Sequence, residues 1–271
     1  LKGKAVLCAF SHTAMALHRA GVVPDFIMTL DPEDLRYHFD GYPIEKIGAM
    51  LLGATIHPDV YALPARRMFT FAGNSTVESW IYESLGENAS VSSGGSVATS
   101  ALALACSMRC NPVIFVGQDL SFPDGQYYVK GCVDEGTAVE EAADGQSFVT
   151  KGFSEQFGQM ATIGGAKETK RERLVEVPGY YGGTVKTGFM FELFLRWFRA
   201  SAKALQGRTH LINCTEGGAY LEHMEHIPLS EAIARYGQEP LDVEGLLDEA
   251  IARTDRKGRV RRMHARVSEM L

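Results

Sequence analysis

Ser92-Ser93-Gly94-Gly95-Ser96 runs directly into Val97-Ala98-Thr99-Ser100-Ala101, a small-residue turn that opens an Ala- and Leu-rich helix. One helix length later comes the apolar run Val113-Ile114-Phe115-Val116, which ends on Gly117-Gln118-Asp119. The first N–H groups of a helix have no partner within it and can face an anion. In open α/β sheets, ligands sit beyond the carboxyl ends of the strands. Two such elements, adjacent and connected, point to an α/β fold with a ligand-facing edge.

The rest of the chain alternates in the same way. Lys4 to Phe10 is a short apolar strand followed by a helix over Thr13 to Ala20, which Gly21 stops. Phe26 to Leu30 is a second strand ending on Asp31-Pro32, so the first thirty residues make a β-α-β unit with parallel pairing. Further strands are expected at Ala49 to Leu52 and Arg67 to Phe71, and a helix at His57 to Leu63. Thr76 to Leu85 fits a short helix or an irregular excursion. From Pro123 to Gly183 the chain is rich in Gly, Thr, Gln, Glu and Lys without sustained periodicity. So long a structureless loop is unusual in a compact domain, which suggests an inserted lid, hairpin excursion or cap over about 123–186. Thr187 to Leu205 is an amphipathic helix whose aromatics are expected in the core, and Arg208 to Cys214 is a last strand ending in Thr215-Glu216-Gly217-Gly218. Helical segments close the chain. The alternation implies a mainly parallel sheet flanked by helices. If the strands share that sheet, Asp31, Gln118-Asp119 and Glu216 fall on one edge.

Composition narrows the partners. A net charge of −6 argues against a bulk binder of nucleic acid or anionic membrane. Two basic runs, Lys167/Lys170/Arg171/Arg173 and Arg256/Lys257/Arg259/Arg261/Arg262, fit solvated faces. No apolar run reaches membrane-spanning length and no signal peptide leads the chain. The five cysteines contain no CxxC pair, which suits reduced structural thiols, no metal site and a cytoplasmic protein.

Several residues could carry chemistry. Ser93, Gly94, Gly95 and Ser96 could cradle a phosphate, or simply cap the helix with a serine. The turn matches neither the Walker pattern nor GxGxxG. Asp31, Asp119 and Glu216 could bind a sugar hydroxyl or act as a base, or serve as turn and cap residues. Tyr127 and Tyr128 could donate to a departing phosphate or pack the inserted region. His12 ends a strand, whereas His57, His210, His223 and His226 fit structural or surface roles.

The segment from Gly94 through Tyr128, with Gly21 to Pro32 and Thr215 to Ala219 before Ile227-Pro228-Leu229, resembles the motility accessory factor (Maf) flagellin glycosyltransferases. That family is grouped with the 6-hydroxymethylpterin diphosphokinase MptE-like domain. The resemblance covers most of Lys4 to Ile233. It implies a Rossmann-like domain over 1–236 and a helical extension over 237–271. It implies transfer of a nonulosonic acid from a CMP-sugar to Ser or Thr of flagellin. Ser93 to Ser96, Gln118, Asp119, Tyr127 and Tyr128 would line the nucleotide, and Asp31, Asp119 or Glu216 would take the acceptor proton. The family pattern includes a Gly-Pro-Ser-Leu strand and turn upstream of the segment where this chain begins, so a fragment lacking that loop is implied. The histidine base that related sialyltransferases carry in the lid has no counterpart between His57 and His210. Two other readings remain open: a pterin pyrophosphokinase using ATP and Mg²⁺, and a non-catalytic nucleotide- or protein-binding module.

Overall fold

The computed structural model describes residues 1–73, 75–87, 91–151 and 171–269, so Lys167 and Lys170 of the first basic run lie outside the described residues. The chain forms two compact units, Leu1–Ser107 with Gly237–Leu271, and Met108–Tyr236. This differs from the expected single domain over 1–236. The chain leaves the first fold at the end of a helix and returns to it with the terminal helices.

In the first unit, β1 (Cys8–Phe10) runs into α1 (Ser11–Arg19), then β2 (Phe26–Thr29), β3 (Ala49–Gly53) and β4 (Met68–Phe71). The four strands pair in parallel in the order β1-β2-β3-β4. β2 and β3 are buried along their whole length, as continuous apolar runs are when both faces of a parallel sheet are covered. α2 (Thr76–Ser84) starts with a capping box in which Ser75 and Glu78 satisfy each other's backbone N–H. α3 (Val97–Ser107) follows the serine-glycine turn. One sheet face carries Ile27, Met50 and Leu52, and the other Met28, Leu51 and Phe71. The helix expected at His57 to Leu63 is only a 3-10 turn, Pro58–Ala62. Pro58 leaves room for one turn before Pro64 disfavours helical backbone at Leu63.

In the second unit, β5 (Val113–Phe115) precedes an antiparallel sheet of β6 (Ala138–Glu141), β7 (Ser147–Lys151), β8 (Arg171–Pro178) and β9 (Thr184–Gly188). α4 (Phe189–Leu205), β10 (Leu211–Asn213), β11 (Glu225–His226) and α5 (Leu229–Tyr236) complete it. β5, β10 and β11 form a parallel sheet in the order β11-β10-β5. Phe198 of α4 is fully buried and meets Phe115 edge-on, with ring centroids 5.5 Å apart. Phe189, expected in the core, is 43% exposed at the first turn of α4.

Two terminal helices, α6 (Val243–Arg253) and α7 (Arg256–Ser268), belong to the first unit. Buried Arg67 fixes α6 by donating to Asp248 (2.9 Å), to Glu244 (3.0 Å) and to the Gly48 carbonyl (3.0 Å). Arg259 of α7 pairs with Glu87 at 3.0 Å.

The single parallel sheet expected from the alternation is therefore two parallel sheets, and Asp31 follows a strand of one while Asp119 and Glu216 follow strands of the other. No helix of the described residues is long and apolar enough to cross a membrane, and none of the five cysteines forms a disulfide.

Candidate functional site

In the second unit, parallel register puts the ends of β5 and β10 side by side, with Phe115 opposite Asn213. The loops that follow are knitted together. Gln118 N donates to Thr215 Oγ1 at 3.0 Å, and Ala219 N donates to the Asp119 carbonyl at 2.7 Å. Gln118, Asp119, Glu216, Gly217 and Gly218 are thus brought to one edge. Gly218 (φ +71°) passes so close that a Cβ would lie 2.4 Å from the Asp119 carbonyl oxygen. A Cβ on Gly217 would lie 3.7 Å from Asp119 Oδ1, so glycine there leaves one side of the carboxylate open.

Leu120 (φ +45°) and Glu216 (φ +57°) hold left-handed backbone without being glycine. Such strain persists only where the surroundings over-determine it. The antiparallel sheet does that here. Thr187 Oγ1 donates to the Leu120 carbonyl at 2.7 Å. Tyr180 N donates to the Gly218 carbonyl at 2.9 Å, Tyr220 N to the Pro178 carbonyl at 2.8 Å, and the Tyr181 hydroxyl to the Glu216 carbonyl at 3.0 Å. The described part of the inserted region is a brace for the strand-end loops.

The two carboxylates in this group differ. Glu216 Oε1 accepts from Leu229 N at 2.9 Å, so it caps α5. Asp119 has its pKa raised by burial, which suits a proton acceptor. Tyr127 packs among Phe122, Tyr128 and Phe191 at centroid distances of 4.8 to 5.6 Å. Burial, helped by Glu172, pushes its hydroxyl up to about 12. It is a half-buried packing residue, and the upward shift keeps its proton in place.

Sequence reasoning overlooked Asn213 and gave His226 a structural or surface role; the two are in-register neighbours at the ends of β10 and β11. Asn213 is fully buried; its Oδ1 accepts from Thr215 N at 3.0 Å, while Nδ2 has no partner among the described residues. His226 Nδ1 lies 3.1 Å from the Met224 carbonyl, so Nδ1 carries the proton and Nε2 the lone pair. That Nε2 is also buried without a partner, the ring stacks on Tyr220 at 4.3 Å, and burial lowers its pKa. The signal available was the position of Asn213 as the last residue of a strand.

In the first unit, the Ser93–Ser96 turn satisfies itself. Gly94 N and Ser96 N both donate to Thr99 Oγ1, at 3.0 and 3.1 Å, and Gly95 N donates to Ser93 Oγ at 3.2 Å. Ser96 Oγ accepts from Thr99 N at 3.3 Å as a helix cap. The backbone cradle expected for a phosphate is occupied by the turn's own hydroxyls. Asp31 keeps much of its surface exposed, yet the protein around it raises its pKa, and Asp31 in turn adds to the upward shift of Glu33.

Residues 1–125 match the family model described as 6-hydroxymethylpterin diphosphokinase MptE-like. The fold is similar to the solved structure of Maf glycosyltransferase from Magnetospirillum magneticum AMB-1, with a TM-score of 0.59 and 15% identity over 93% of this chain. Both similarities expected from the motifs are borne out, and with them the Rossmann-like α/β class. The chain spans about a third (33%) of the length of that glycosyltransferase. No curated protein matches the chain.

Proposed function

We propose that this chain is part of a glycosyltransferase that moves a nonulosonic sugar from a CMP-activated donor to a protein hydroxyl, as on flagellin. The observation that carries the reading is the strand-end group around Asp119. It joins a carboxylate of raised pKa, a glycine-cleared space and backbone held rigid from two sides, in a fold similar to a Maf glycosyltransferase. The acceptor oxygen bonds to the anomeric carbon, the bond from that carbon to the CMP phosphate breaks, and its electron pair leaves with CMP. The hydroxyl proton passes to the Asp119 carboxylate. Within the second unit, Gln118 beside Asp119 is the polar group offered to the donor, and Tyr128 is a further one.

The family model over residues 1–125 favours a second reading, a pyrophosphokinase using ATP and Mg²⁺. Mg²⁺ asks for carboxylate oxygens free to coordinate. In the first unit Asp34, His57 and Asp59 come together, but Arg36 pairs with both carboxylates, at 2.6 and 3.0 Å. The guanidinium holds Asp34 down to about 2. Carboxylates already neutralised by an arginine do not fit a Mg²⁺ centre.

Calorimetric titration of the full-length protein with CMP, then with ATP and Mg²⁺, separates the readings. CMP binding is expected, with turnover of CMP-pseudaminic or CMP-legionaminic acid falling about 10²–10⁴-fold in Asp119→Asn. Binding of ATP alone overturns the sugar-transfer reading in favour of the kinase. Silence with both leaves a binding module.

A further inference from the structure

We propose that Asn213 and His226, in the second unit, together bind one hydroxyl group of the sugar-nucleotide donor. The inference deepens the sugar-transfer reading and rests on it. Parallel pairing places the two residues in register at the ends of β10 and β11. In-register partners of a parallel ladder project their side chains from the same face of the sheet, about 4.8 Å apart. β5 ends on the same edge, one strand from Asn213 and two from His226, and Gln118 and Asp119 follow it.

Two buried atoms define what the pair accepts. Asn213 is fully buried and its Oδ1 is committed to Thr215 N, so the amide offers Nδ2, a donor with no partner among the described residues. His226 commits Nδ1 to the Met224 carbonyl, so it offers Nε2, an acceptor likewise without a partner among the described residues. Burial lowers the pKa of the ring, so at physiological pH it is neutral and keeps that lone pair. A donor beside an acceptor suits a group that is both. An anion brings only acceptors and would face the imidazole lone pair; an ammonium brings only donors and would leave Nδ2 unmet. A hydroxyl oxygen accepts from Nδ2 and donates its own hydrogen to Nε2. Two hydrogen bonds of about 2.8 Å at a tetrahedral angle span about 4.6 Å, close to the strand spacing. Tyr220 stacks on the imidazole at 4.3 Å, and Tyr180 meets it edge-on at 5.0 Å. Tyr220 is 41% exposed, so the way in from solvent runs past its ring, and aromatic lining is usual for a small-molecule site.

The test is calorimetric titration of the full-length protein with CMP and, separately, with CMP-pseudaminic or CMP-legionaminic acid. His226→Phe keeps a stacking ring and removes the acceptor; it should weaken binding about 10-fold. His226→Gln, whose amide oxygen can take the same hydrogen, should recover part of that loss. Asn213→Asp keeps the bond from Thr215 N and turns the donor into an acceptor, so it should weaken binding at least as much. If that variant fails to fold, the His226 variants carry the test, because their position is half-buried. Loss for CMP and the CMP-sugar alike assigns the hydroxyl to the ribose, and loss for the CMP-sugar alone assigns it to the transferred sugar. Unchanged affinity in His226→Phe, or an equal loss in His226→Gln, overturns the inference while the sugar-transfer reading stands. A parent protein that binds neither CMP nor the CMP-sugar overturns that reading and the inference with it.

Discussion

The Ser93–Ser96 turn and the strand-end loops of the second unit have similar sequences, each a cluster of small polar residues and glycines, but they use them in opposite ways. The turn spends its donors on itself: Thr99 takes the N–H groups of Gly94 and Ser96, and Ser93 takes that of Gly95. The strand-end loops are fixed from outside, by hydrogen bonds from β9, from the β8–β9 turn and from each other, while Asp119 keeps an open side. A glycine-serine cluster is therefore ambiguous. Whether its backbone is free for a ligand depends on whether a nearby hydroxyl reaches it first.

The largest effect is expected at Gly218. An added Cβ would meet Asp119 backbone at 2.4 to 2.8 Å in a left-handed conformation. Gly218→Ala should cost about 3–5 kcal/mol, from overpacking together with left-handed strain, as read from the denaturant midpoint. A cost below about 1 kcal/mol would mean that the loop yields, and the contrast with the turn would fail. Thr99→Val should cost less, about 1–2 kcal/mol, because it removes the acceptor shared by two N–H groups while keeping side-chain volume. If a phosphate normally occupies the turn, added phosphate should stabilise the valine variant more than the parent; an equal response supports the self-capped turn.

The smallest effect concerns Asp119 and depends on pH. Its folded pKa is raised by burial, so between the unfolded and folded values the native state holds the proton more tightly. Its contribution to stability is present at acid pH and is lost as pH rises through that window. Asp119→Asn should therefore raise the melting temperature modestly at pH 7. The gain should vanish below the ordinary carboxylate pKa of about 3.9. A stabilised but inactive variant fits a group kept for chemistry, since such groups are often maintained against stability. Destabilisation at pH 7 would instead make Asp119 a structural residue.

Most of the fold was legible where one physical signal dominates. Phe26 to Leu30 and Ala49 to Leu52 are continuous apolar runs, and both became buried parallel strands. Phe194 and Phe198 repeat at helical spacing, and α4 formed around them. Legibility failed where side chains in strands are half exposed. β8 (Arg171–Pro178) opens on three charged residues, Arg171-Glu172-Arg173, before Leu174-Val175, so it shows no clean two-residue period, and its pairing with β9 follows a glycine-tyrosine turn. The adjacency of Asp119 to Gly217-Gly218 was readable, since each ends a strand-like run. The roles were not: nothing local tells that Glu216 caps α5, or that Tyr127 packs between Phe122 and Phe191.

By itself, the sequence determined the alternation of strands and helices, the apolar runs that pair in parallel, and the small polar residues at the strand ends. These follow from periodicity and backbone preference, which act over a few residues. Only the tertiary structure decided that the strands divide into two sheets and that the serine-glycine turn closes on its own hydroxyls. It also decided that Asn213 and His226 become register neighbours and that His12 meets His38. Each of these depends on groups brought together across many residues of chain, where burial, hydrogen-bond competition and strand register set the outcome.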